Sequence, residues 1–587
     1  MNSKLTSLKE ELNAASGKIK ADMHIKNIRI LDVYTETVYP GSLLIKNGKI
    51  VSSTPDRAVE ADQEFDGNNM IAIPGFMDAH VHIETTLLTP EALSSVIVPW
   101  GTTTLFVDAM EIANVIGIKG LRALLNNNPD LPFRIFMEVP SRVPTAPGLE
   151  TTGGILGVSE VCELLEDDIA VSLGELDPEK VLNLKDEYLE KILCARQKNK
   201  ICNGHAIGLN WDQLNVYSTA GLSDDHESVE YQELFDRLRL GIKALIREGS
   251  TERNVDTLIS GVIKHNLPTD DLMFCTDDKH VNDIANEGHI SYNIQRAIDL
   301  GMTPIKAIKI ATLNAAKHFR LDHELGSLSP GRYADMVLVE SLDQMKPVVV
   351  FKDGQPVAKE GKLINDISGS YPEYLNTTVV LSTGFSSKDF VISATDNEVD
   401  VRVINLYADQ IINFETIERL KVTDNAVQID LDADILKLSV VERYGKNGHV
   451  SSAYVRGFQL KSGAIASSVS HDHHNIVVVG TNDEDMFLAT KEVEKHQGGF
   501  VAVNEGVMTG VMPLPIGGLM SPLTAGKVMA EMEKLNAIVH EMGCDFPAPF
   551  MTLSFVSLPT VPELGLTDKG LISVKDHKII PVIMADG

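Results

Sequence analysis

The chain has 587 residues, which is enough for about three to five domains at roughly 100–200 residues each. Its 43% hydrophobic residues supply large buried cores, so a mostly disordered protein is excluded. Lys and Arg total 52 against 82 Asp and Glu, giving a net charge of −30. Such an acidic balance argues against a general nucleic-acid binder and against docking on an anionic membrane surface.

The five cysteines contain no CxxC pair and do not predict a disulfide framework. An odd number of cysteines is typical of a reducing compartment. No apolar run of about 18 residues and no signal-peptide pattern is present. We therefore expect a soluble, cytoplasmic protein.

The first part of the chain is predicted to form a helical segment and then a small β domain. Residues 1–22 carry leucines at helical spacing. Alternating apolar runs separated by turn signals predict strands from residue 23 onward, and similar runs return after residue 326. We expect one β-sandwich domain, split in sequence, formed by 23–73 plus 326–365.

The middle of the chain, 74–325, alternates short β-rich runs with helical stretches. This alternation predicts parallel βα units, and about 250 residues is the usual size of an eightfold βα (TIM-like) barrel. One of the predicted helical stretches covers 231–249, YQELFDRLRLGIKALIREG. In such a barrel the catalytic groups lie at the carboxyl ends of the strands.

The loop-like segment 365–376 is a plausible boundary, and 377–587 mixes predicted strands, such as 379–382, with helices. The predicted fold class is therefore α/β: an eightfold βα barrel, a split β-sandwich and an additional C-terminal α/β domain.

The clearest chemical signal is the segment PGFMDAHVHIE, which contains His80 and His82. Residues i and i+2 of a strand share a face, so the two imidazoles point the same way. A chance HxH is common, but this one ends a predicted barrel strand directly after Pro74-Gly75. The pair therefore predicts metal ligands.

Further ligand types follow other predicted strands. Glu175 ends LGE, His205 lies in NGHA, His226 lies in SDDHE, and Asp277 and Asp278 end CTDD. Several histidines and carboxylates at the strand ends of one barrel indicate two divalent cations, since nitrogen and oxygen ligands suit Zn, Mn or Fe and a carboxylate can bridge a pair.

These motifs, in this order, resemble the amidohydrolase superfamily, and further segments narrow the resemblance to the bacterial adenine deaminase family. They include EIANVIG, LRLG, KAIKIATLNAAKHFRL and LGSLSPGRYADMVLVE, and in the C-terminal region SHDHHNIVVVGTNDEDM, PLPIGGLMS and PFMTLSFVSLP. The resemblance runs nearly end to end, and the C-terminal block separates this family from other amidohydrolases.

The resemblance implies a binuclear site, with Mn or Fe favoured over Zn, that converts adenine to hypoxanthine and ammonia through a metal-activated hydroxide in purine salvage. It implies these six metal ligands, the first pair on one ion, the two later histidines on the other, and the glutamate as bridge: His80, His82, Glu175, His205, His226 and Asp277. It also implies that Asp277 shuttles the proton and that the protein is a homodimer or larger assembly.

A second acid should protonate a ring nitrogen, so that negative charge does not build up on the purine. The candidates are Asp278, Glu111 and Asp108, with orientation of a metal-bound imidazole as the alternative role.

The sequence departs from the family at three predicted strand ends. Ala109-Met110-Glu111 replaces Pro-His-Glu, Ile207-Gly208 replaces Pro-Gly, and 176–179 replaces a Met-Met-Asn type of loop. A thioether is at best a weak acceptor, so Met110 in place of the family's imidazole predicts slower deamination of adenine than in its relatives. The three substitutions together leave the substrate and the rate open, and neutral drift in loops is the alternative interpretation.

The C-terminal cluster Ser470-His471-Asp472-His473-His474 could close over the substrate or bind another metal, and is otherwise an ordinary loop. We include His471 and His473 among the candidate pocket residues. Two other readings stay open: a binuclear hydrolase acting on another aminated heterocycle or a cyclic amide, and a catalytically weakened homologue.

Overall fold

The computed structural model describes residues 2–54, 60–125, 130–406, 413–560 and 563–584. The chain begins with one helix and five strands: α1 (Asn2–Ala15), β1 (Ala21–Asp32), β2 (Thr37–Lys46), β3 (Lys49–Thr54), β4 (Ala61–Asp66) and β5 (Ile71–Pro74). The predicted N-terminal helix is present, but its leucines face outward: Leu5, Leu8 and Leu12 are 51%, 50% and 62% exposed.

Eight further strands follow in the middle of the described chain: β6 (Phe76–Val81), β7 (Thr102–Val107), β8 (Arg134–Val139), β9 (Ala170–Leu176), β10 (Ile201–Gly204), β11 (Asp224–Asp225), β12 (Lys243–Arg247) and β13 (Leu272–Cys275). Helices occupy the connections and the segment after the last strand: α2 (Pro90–Ile97), α3 (Met110–Ile116), α4 (Ile118–Leu125), α5 (Val158–Leu164), α6 (Pro178–Leu182), α7 (Asp186–Gln197), α8 (Trp211–Ala220), α9 (Tyr231–Arg239), α10 (Val255–Lys264), α11 (Val281–Glu287), α12 (Ile290–Asp299), α13 (Pro304–Ile310) and α14 (Leu313–His318). Short 3-10 helices cover Ile83–Thr86 and Val98–Trp100.

The eight middle strands are parallel to their neighbours and form two curved sheets, in the orders β10-β9-β8-β7-β6 and β11-β12-β13. Their side chains are almost all buried, as expected for parallel strands covered on both faces. The prediction of parallel βα units is confirmed for this part of the chain.

One element in this region differs from its prediction. The stretch 231–249 was predicted to be helical throughout, but the helix α9 ends at Arg239 and the strand β12 begins at Lys243. Gly241 takes φ +79° between them, a left-handed conformation that a helix does not continue through. The apolar run that follows is buried between β11 and β13, which favours a strand.

Four strands after the middle region return to the first sheet: β14 (Met336–Val339), β15 (Val349–Lys352), β16 (Gln355–Lys359) and β17 (Lys362–Leu363). The sheet order is β17-β16-β15-β14-β5-β1-β2-β3, with β4 paired to β1. Two distant stretches of sequence thus share one nine-stranded sheet.

The C-terminal region contains the remaining elements: β18 (Glu398–Leu406), β19 (Asn413–Thr423), β20 (Ala426–Val427), β21 (Ile435–Val441), β22 (Val450–Arg456), β23 (Ala464–Ser467), β24 (Ile476–Gly480), α15 (Asp483–Lys495), β25 (Gly499–Asn504), β26 (Val507–Pro513), α16 (Ala525–Glu541), α17 (Pro549–Phe555), β27 (Leu564–Thr567), β28 (Gly570–Ser573) and β29 (Lys578–Ile580). Short 3-10 helices cover Glu373–Asn376 and Ser387–Phe390.

The strands β18–β26 form a second nine-stranded sheet and β27–β29 a three-stranded one. The predicted strand over 379–382 does not form; Val380 makes a single bridge to Tyr444 instead.

One large apolar cluster joins the middle and the C-terminal regions, because Ile112 of α3 belongs to it together with Ile516, Leu519 and Phe550. Cys162 and Cys194 are joined by a disulfide bond, which the sequence did not predict. Within the described residues, no helix is both long and apolar enough to cross a bilayer.

Candidate metal centre and active site

The six predicted metal ligands lie at the carboxyl ends of the parallel strands. Parallel strands end at the same edge of their sheet, so residues distant in sequence meet there. The ligands are in or directly after β6, β9, β10, β11 and β13: His80, His82, Glu175, His205, His226 and Asp277.

Glu175 lies at the centre of this group. Its Oε1 atom is 3.1 Å from Nε2 of His80 and 3.1 Å from Nε2 of His226. The same oxygen is 3.4 Å from Nε2 of His82 and 3.7 Å from Nδ1 of His205. One carboxylate oxygen therefore faces the ring nitrogens of all four histidines.

Asp277 closes the group from the end of β13. Its Oδ1 atom is 3.6 Å from Nε2 of both His80 and His82. Its other oxygen accepts a hydrogen bond of 3.0 Å from Nη1 of Arg247, at the end of β12. The carboxylate is thus held between a cation and two imidazoles.

The hydrogen bonds of the first two histidines leave a lone pair directed at the centre. Nδ1 of His80 lies 2.6 Å from a carboxylate oxygen of Glu138, and Nδ1 of His82 lies 2.7 Å from the main-chain oxygen of Asp108. Both Nδ1 atoms are therefore donors, which leaves each Nε2 without its proton in the neutral ring.

The other two histidines have buried ring nitrogens without hydrogen-bond partners among the described residues: Nδ1 of His205 and Nε2 of His226. Buried nitrogens without partners are costly unless something binds them. Together with the carboxylates of Glu175 and Asp277, they form a nitrogen and oxygen donor set that fits a divalent cation.

The two carboxylates are anionic. Burial raises the pKa of Glu175, but the neighbouring guanidinium of Arg142 and the imidazole of His205 lower it more and hold that pKa well below its usual value. Burial likewise raises the pKa of Asp277, and His226 and Arg247 lower it more. Both carboxylates therefore remain negatively charged and can bind a cation.

Four residues of the site were not predicted: Glu138, Arg142, Glu227 and Arg247. Glu227 lies 3.2 Å from His205 and 3.3 Å from His226 through its Oε1 atom, which makes it a further potential ligand. It directly follows His226 in SDDHE, so the motif already contained the signal. Arg247 lies on the strand that the sequence pattern assigned to a helix.

Glu111, a candidate catalytic residue on α3, contacts the C-terminal histidines. Nδ1 of His471 lies 3.0 Å from its Oε1, and Nε2 of His474 makes a very short contact with its Oε2. Burial raises the pKa of Glu111, but the facing imidazoles of His474 and His471 lower it more and hold it well below its usual value. The structure thus brings His471, from the C-terminal region, into contact with α3 of the middle region.

The remaining predicted pocket residues occupy different environments. Asp108 is buried, and its Oδ2 accepts the main-chain N–H of Glu175 at 3.2 Å. Burial and the charge of Asp277 raise the pKa of Asp278 to about 7. Met110 is buried within the large apolar cluster.

Two more of these residues lie apart from the six-ligand group. Ile207 is 60% exposed, in the turn after β10. His473 is buried, and its Nδ1 accepts the main-chain N–H of Asn475 at 3.0 Å.

Comparison with known proteins agrees with this site. Residues 71–357 match the amidohydrolase family and residues 410–578 match the adenine deaminase C-terminal domain. An adenine deaminase of Desulforamulus reducens is 64% identical over 581 residues, covering 99% of both chains. The chain belongs to the adenine deaminase family.

More distant members of the family are also similar in sequence over nearly the full length of the chain. An adenine deaminase of Halalkalibacterium halodurans is 37% identical and covers 98% of both chains. One of Lysinibacillus sphaericus is 36% identical and covers 99% of this chain and all of the relative. The prediction of a metal-dependent aminohydrolase of the adenine deaminase type is confirmed.

Proposed function

We propose that this centre hydrolyses adenine to hypoxanthine and ammonia with two divalent cations bound. The observation that carries the proposal is the position of Glu175, whose Oε1 lies 3.1–3.7 Å from ring nitrogens of four histidines. A carboxylate surrounded in this way is suited to bridge two cations. The full-length likeness to adenine deaminases supports adenine as the substrate.

Each ligand has an assigned place. His80 and His82 would hold the first cation, and His205 and His226 the second. Glu175 would be shared between them and Asp277 would complete the first site. Mn or Fe suits this donor set, and Zn is the alternative. When bound, the cations supply Lewis-acid activation of water, whose pKa such ions lower to about 7.

The protein's own groups handle the protons. Asp277, anionic and next to His80 and His82, would take a proton from the attacking water. It would then pass that proton to the amino group of adenine as it leaves as ammonia. Arg247 keeps the carboxylate of Asp277 oriented through the 3.0 Å contact with its Oδ2. Asp278, whose pKa is raised to about 7, is suited to exchange a proton with the purine ring.

The surrounding architecture is proposed with the site. We propose that the two curved parallel sheets close into one eightfold barrel. In support, β6 lies beside β13, where Val81 bridges Asp277, and β10 lies beside β11. The proposed units are 23–73 plus 326–365, 74–325 and 377–587.

Two properties of the whole protein remain proposals. The three free, buried thiols Cys202, Cys275 and Cys544 support a cytoplasmic location, whereas the Cys162–Cys194 disulfide does not. The family resemblance supports a homodimer or larger assembly.

Metal content and ammonia release together test the function. We expect about two divalent ions per chain in the wild type, with ammonia formed from adenine in equal amount to hypoxanthine. His80→Ala should lose at least one ion and the activity, because one imidazole cannot replace two. His323→Ala, an exposed histidine, is the matched control and should change neither. Full metal content in His80→Ala would contradict the assignment.

A further inference from the structure

The loop 470–475 of the C-terminal region reaches the candidate active site. Two of its histidines, His471 and His474, contact the two carboxylate oxygens of Glu111 at the start of α3. All three side chains are buried. Two functions are open to such a cluster: a third metal site, or a hydrogen-bonded support for a group that faces the substrate.

The hydrogen bonds of His474 exclude the metal site. The main-chain N–H of Ser470 donates to Nδ1 of His474 at 3.2 Å, so this nitrogen is unprotonated. A neutral imidazole then carries its proton on the other nitrogen, Nε2. That proton is directed at Oε2 of Glu111, so His474 has no lone pair to offer a cation between them.

His471 differs from His474, since Nδ1 is the only one of its ring nitrogens that makes a hydrogen bond among the described residues. This nitrogen lies 3.0 Å from Oε1 of Glu111, and among the residues that the structure describes Nε2 makes no hydrogen bond. Burial lowers the pKa of His471, but the charge of Glu111 and this hydrogen bond raise it to about 9. The ring stacks on Phe555 at 4.4 Å between centroids, which fixes its plane.

The surroundings of His471 include residues that adjoin the candidate metal centre. Asp278 and His280, both in the loop after β13, interact electrostatically with it. A carboxylate oxygen of Asp278 also lies within 4.8 Å of potential ligand atoms of His82 and Asp277. His471 therefore lies between α3 and the β13 loop, beside the group proposed to hold the cations.

We propose that Nε2–H of His471 donates a hydrogen bond to a ring nitrogen of the purine during attack at C6. The inference rests on the proposed function. Attack of water on C6 moves negative charge onto the ring, and a buried cationic donor aimed at that charge stabilises the transition state. The C-terminal region would thus contribute a catalytic residue to the barrel site, with Glu111 as its positioning residue.

Two substitutions separate the contact with Glu111 from the contact with the purine. The amide nitrogen of asparagine lies near the place of Nδ1, whereas that of glutamine lies near the place of Nε2. His471→Asn should therefore keep Glu111 and lose the purine contact, while His471→Gln should do the reverse. His474→Gln, which keeps a donor toward Glu111, is the matched control.

The measurement compares adenine turnover with inhibition by 1-deaza-, 3-deaza- and 7-deazaadenine, each of which lacks one ring nitrogen. In the wild type, one analogue should bind about 10–100-fold more weakly than the other two, the expected effect of losing one charged hydrogen bond. His471→Asn should lose this preference among the analogues and lower kcat/KM for adenine by about the same factor. His471→Gln and His474→Gln should keep the preference.

The possible outcomes distinguish a failure of the inference about His471 from a failure of the proposed adenine hydrolysis. If the wild type forms ammonia from adenine and His471→Asn keeps the analogue preference and kcat/KM, His471 does not touch the purine. If His474→Asn loses a third equivalent of metal in elemental analysis, the cluster is a metal site and the inference is wrong. If the wild type forms no ammonia from adenine, the proposed function itself fails. Unchanged metal content and melting temperature in His471→Asn would confirm that a lost preference is not a folding defect.

Discussion

Asp277 has a backbone conformation that makes one substitution especially informative. Its φ is +57°, in the left-handed region that aspartate and asparagine tolerate better than most residues. Asp277→Asn should therefore keep the fold while removing the group that takes a proton.

We expect turnover of Asp277→Asn to fall by about 10²–10⁴-fold, the usual contribution of a general acid–base group. Ammonia release, normalised to metal content, measures this. Asp271→Asn, just before the same strand, is the control and should retain wild-type turnover. Near-normal turnover in Asp277→Asn would assign the proton transfer to another group.

Glu150 makes stability depend on pH in the opposite sense from an ordinary surface carboxylate. Burial raises its pKa to about 8, and one of its oxygens has no hydrogen-bond partner among the described residues. Its folded-state pKa exceeds its unfolded-state value, so the folded protein binds the proton more tightly. The free energy of unfolding should therefore decrease as pH rises from about 4.5 to about 8.

Glu150→Gln should abolish this decrease in the free energy of unfolding, which amounts to about 1.4 kcal/mol for each pH unit between about pH 4.5 and about pH 8. We expect its melting temperature to exceed that of the wild type at about pH 8.5 and to equal it near pH 4.5. Glu531→Gln, on the exposed side of α16, should show no pH-dependent difference. A constant difference for Glu150→Gln at all pH values would contradict a titration at this residue.

The polar residues at the ends of the strands could be predicted from the sequence, whereas the strand β12 could not. His80 and His82 reveal their shared face through their spacing, and SDDHE places His226 directly after its strand. In contrast, β12 follows α9 after only three residues, and its apolar run also fits a helical period. The run forms a strand because it is buried between β11 and β13. Such burial depends on tertiary contacts, which the local sequence does not contain.

The helix α9 supplies a support for the second pair of histidines. Arg237, 1% exposed, donates from Nε to Asp225 and from Nη2 to the main-chain oxygen of Ala206 at 2.6 Å. Asp225 in turn accepts the main-chain N–H of Ala206 at 2.6 Å. Ala206 follows His205 and Asp225 precedes His226, so this one arginine fixes both ligand loops.

Arg237→Met should weaken binding of the second cation by about 10–100-fold, the usual effect of losing a residue that orients metal ligands. Elemental analysis and the absorption spectrum of the Co²⁺-loaded protein measure this. Arg237→Lys keeps the charge and should recover part of the affinity even if the methionine variant folds poorly. Arg239→Met, exposed on the same helix, is the control. Two tightly bound ions in Arg237→Met would show that the loops are held by other contacts.

At the scale of the whole molecule, the return of the chain to its first sheet was predictable, but the packing of the C-terminal region on the middle region was not. The return of β14–β17 to the first sheet follows from repeated strand patterns. The contact of Glu111 with His471 joins residues 360 positions apart, and no periodicity indicates it. Met110 and Ile112 of α3 are apolar and buried, but by themselves they do not indicate that the C-terminal region covers them.

The interface between the middle and C-terminal regions is extensive enough to couple their unfolding. Ile112 belongs to the same apolar cluster as Ile516 and Phe550, and a Cβ on Gly517 would lie 2.4 Å from Cδ1 of Ile112. Asn475 also donates to the main-chain oxygen of Thr151 at 2.8 Å. Large apolar interfaces of this kind bind regions into one cooperative unit, whereas small polar interfaces let domains move independently.

We therefore expect the two regions to unfold in one transition, and the chain provides a probe in each. Both tryptophans, Trp100 and Trp211, lie in the middle region, while Cys544 is a buried free thiol in the C-terminal region. Heating should change tryptophan fluorescence and expose Cys544 to a thiol reagent over the same temperature range, with the labelled peptide identified by mass spectrometry. Gly517→Ala should lower both midpoints together, because the added methyl group collides with Ile112. Labelling of Cys544 well below the fluorescence midpoint would instead mean that the C-terminal region opens on its own, and His471 would then lose its contact with Glu111 before the middle region unfolds.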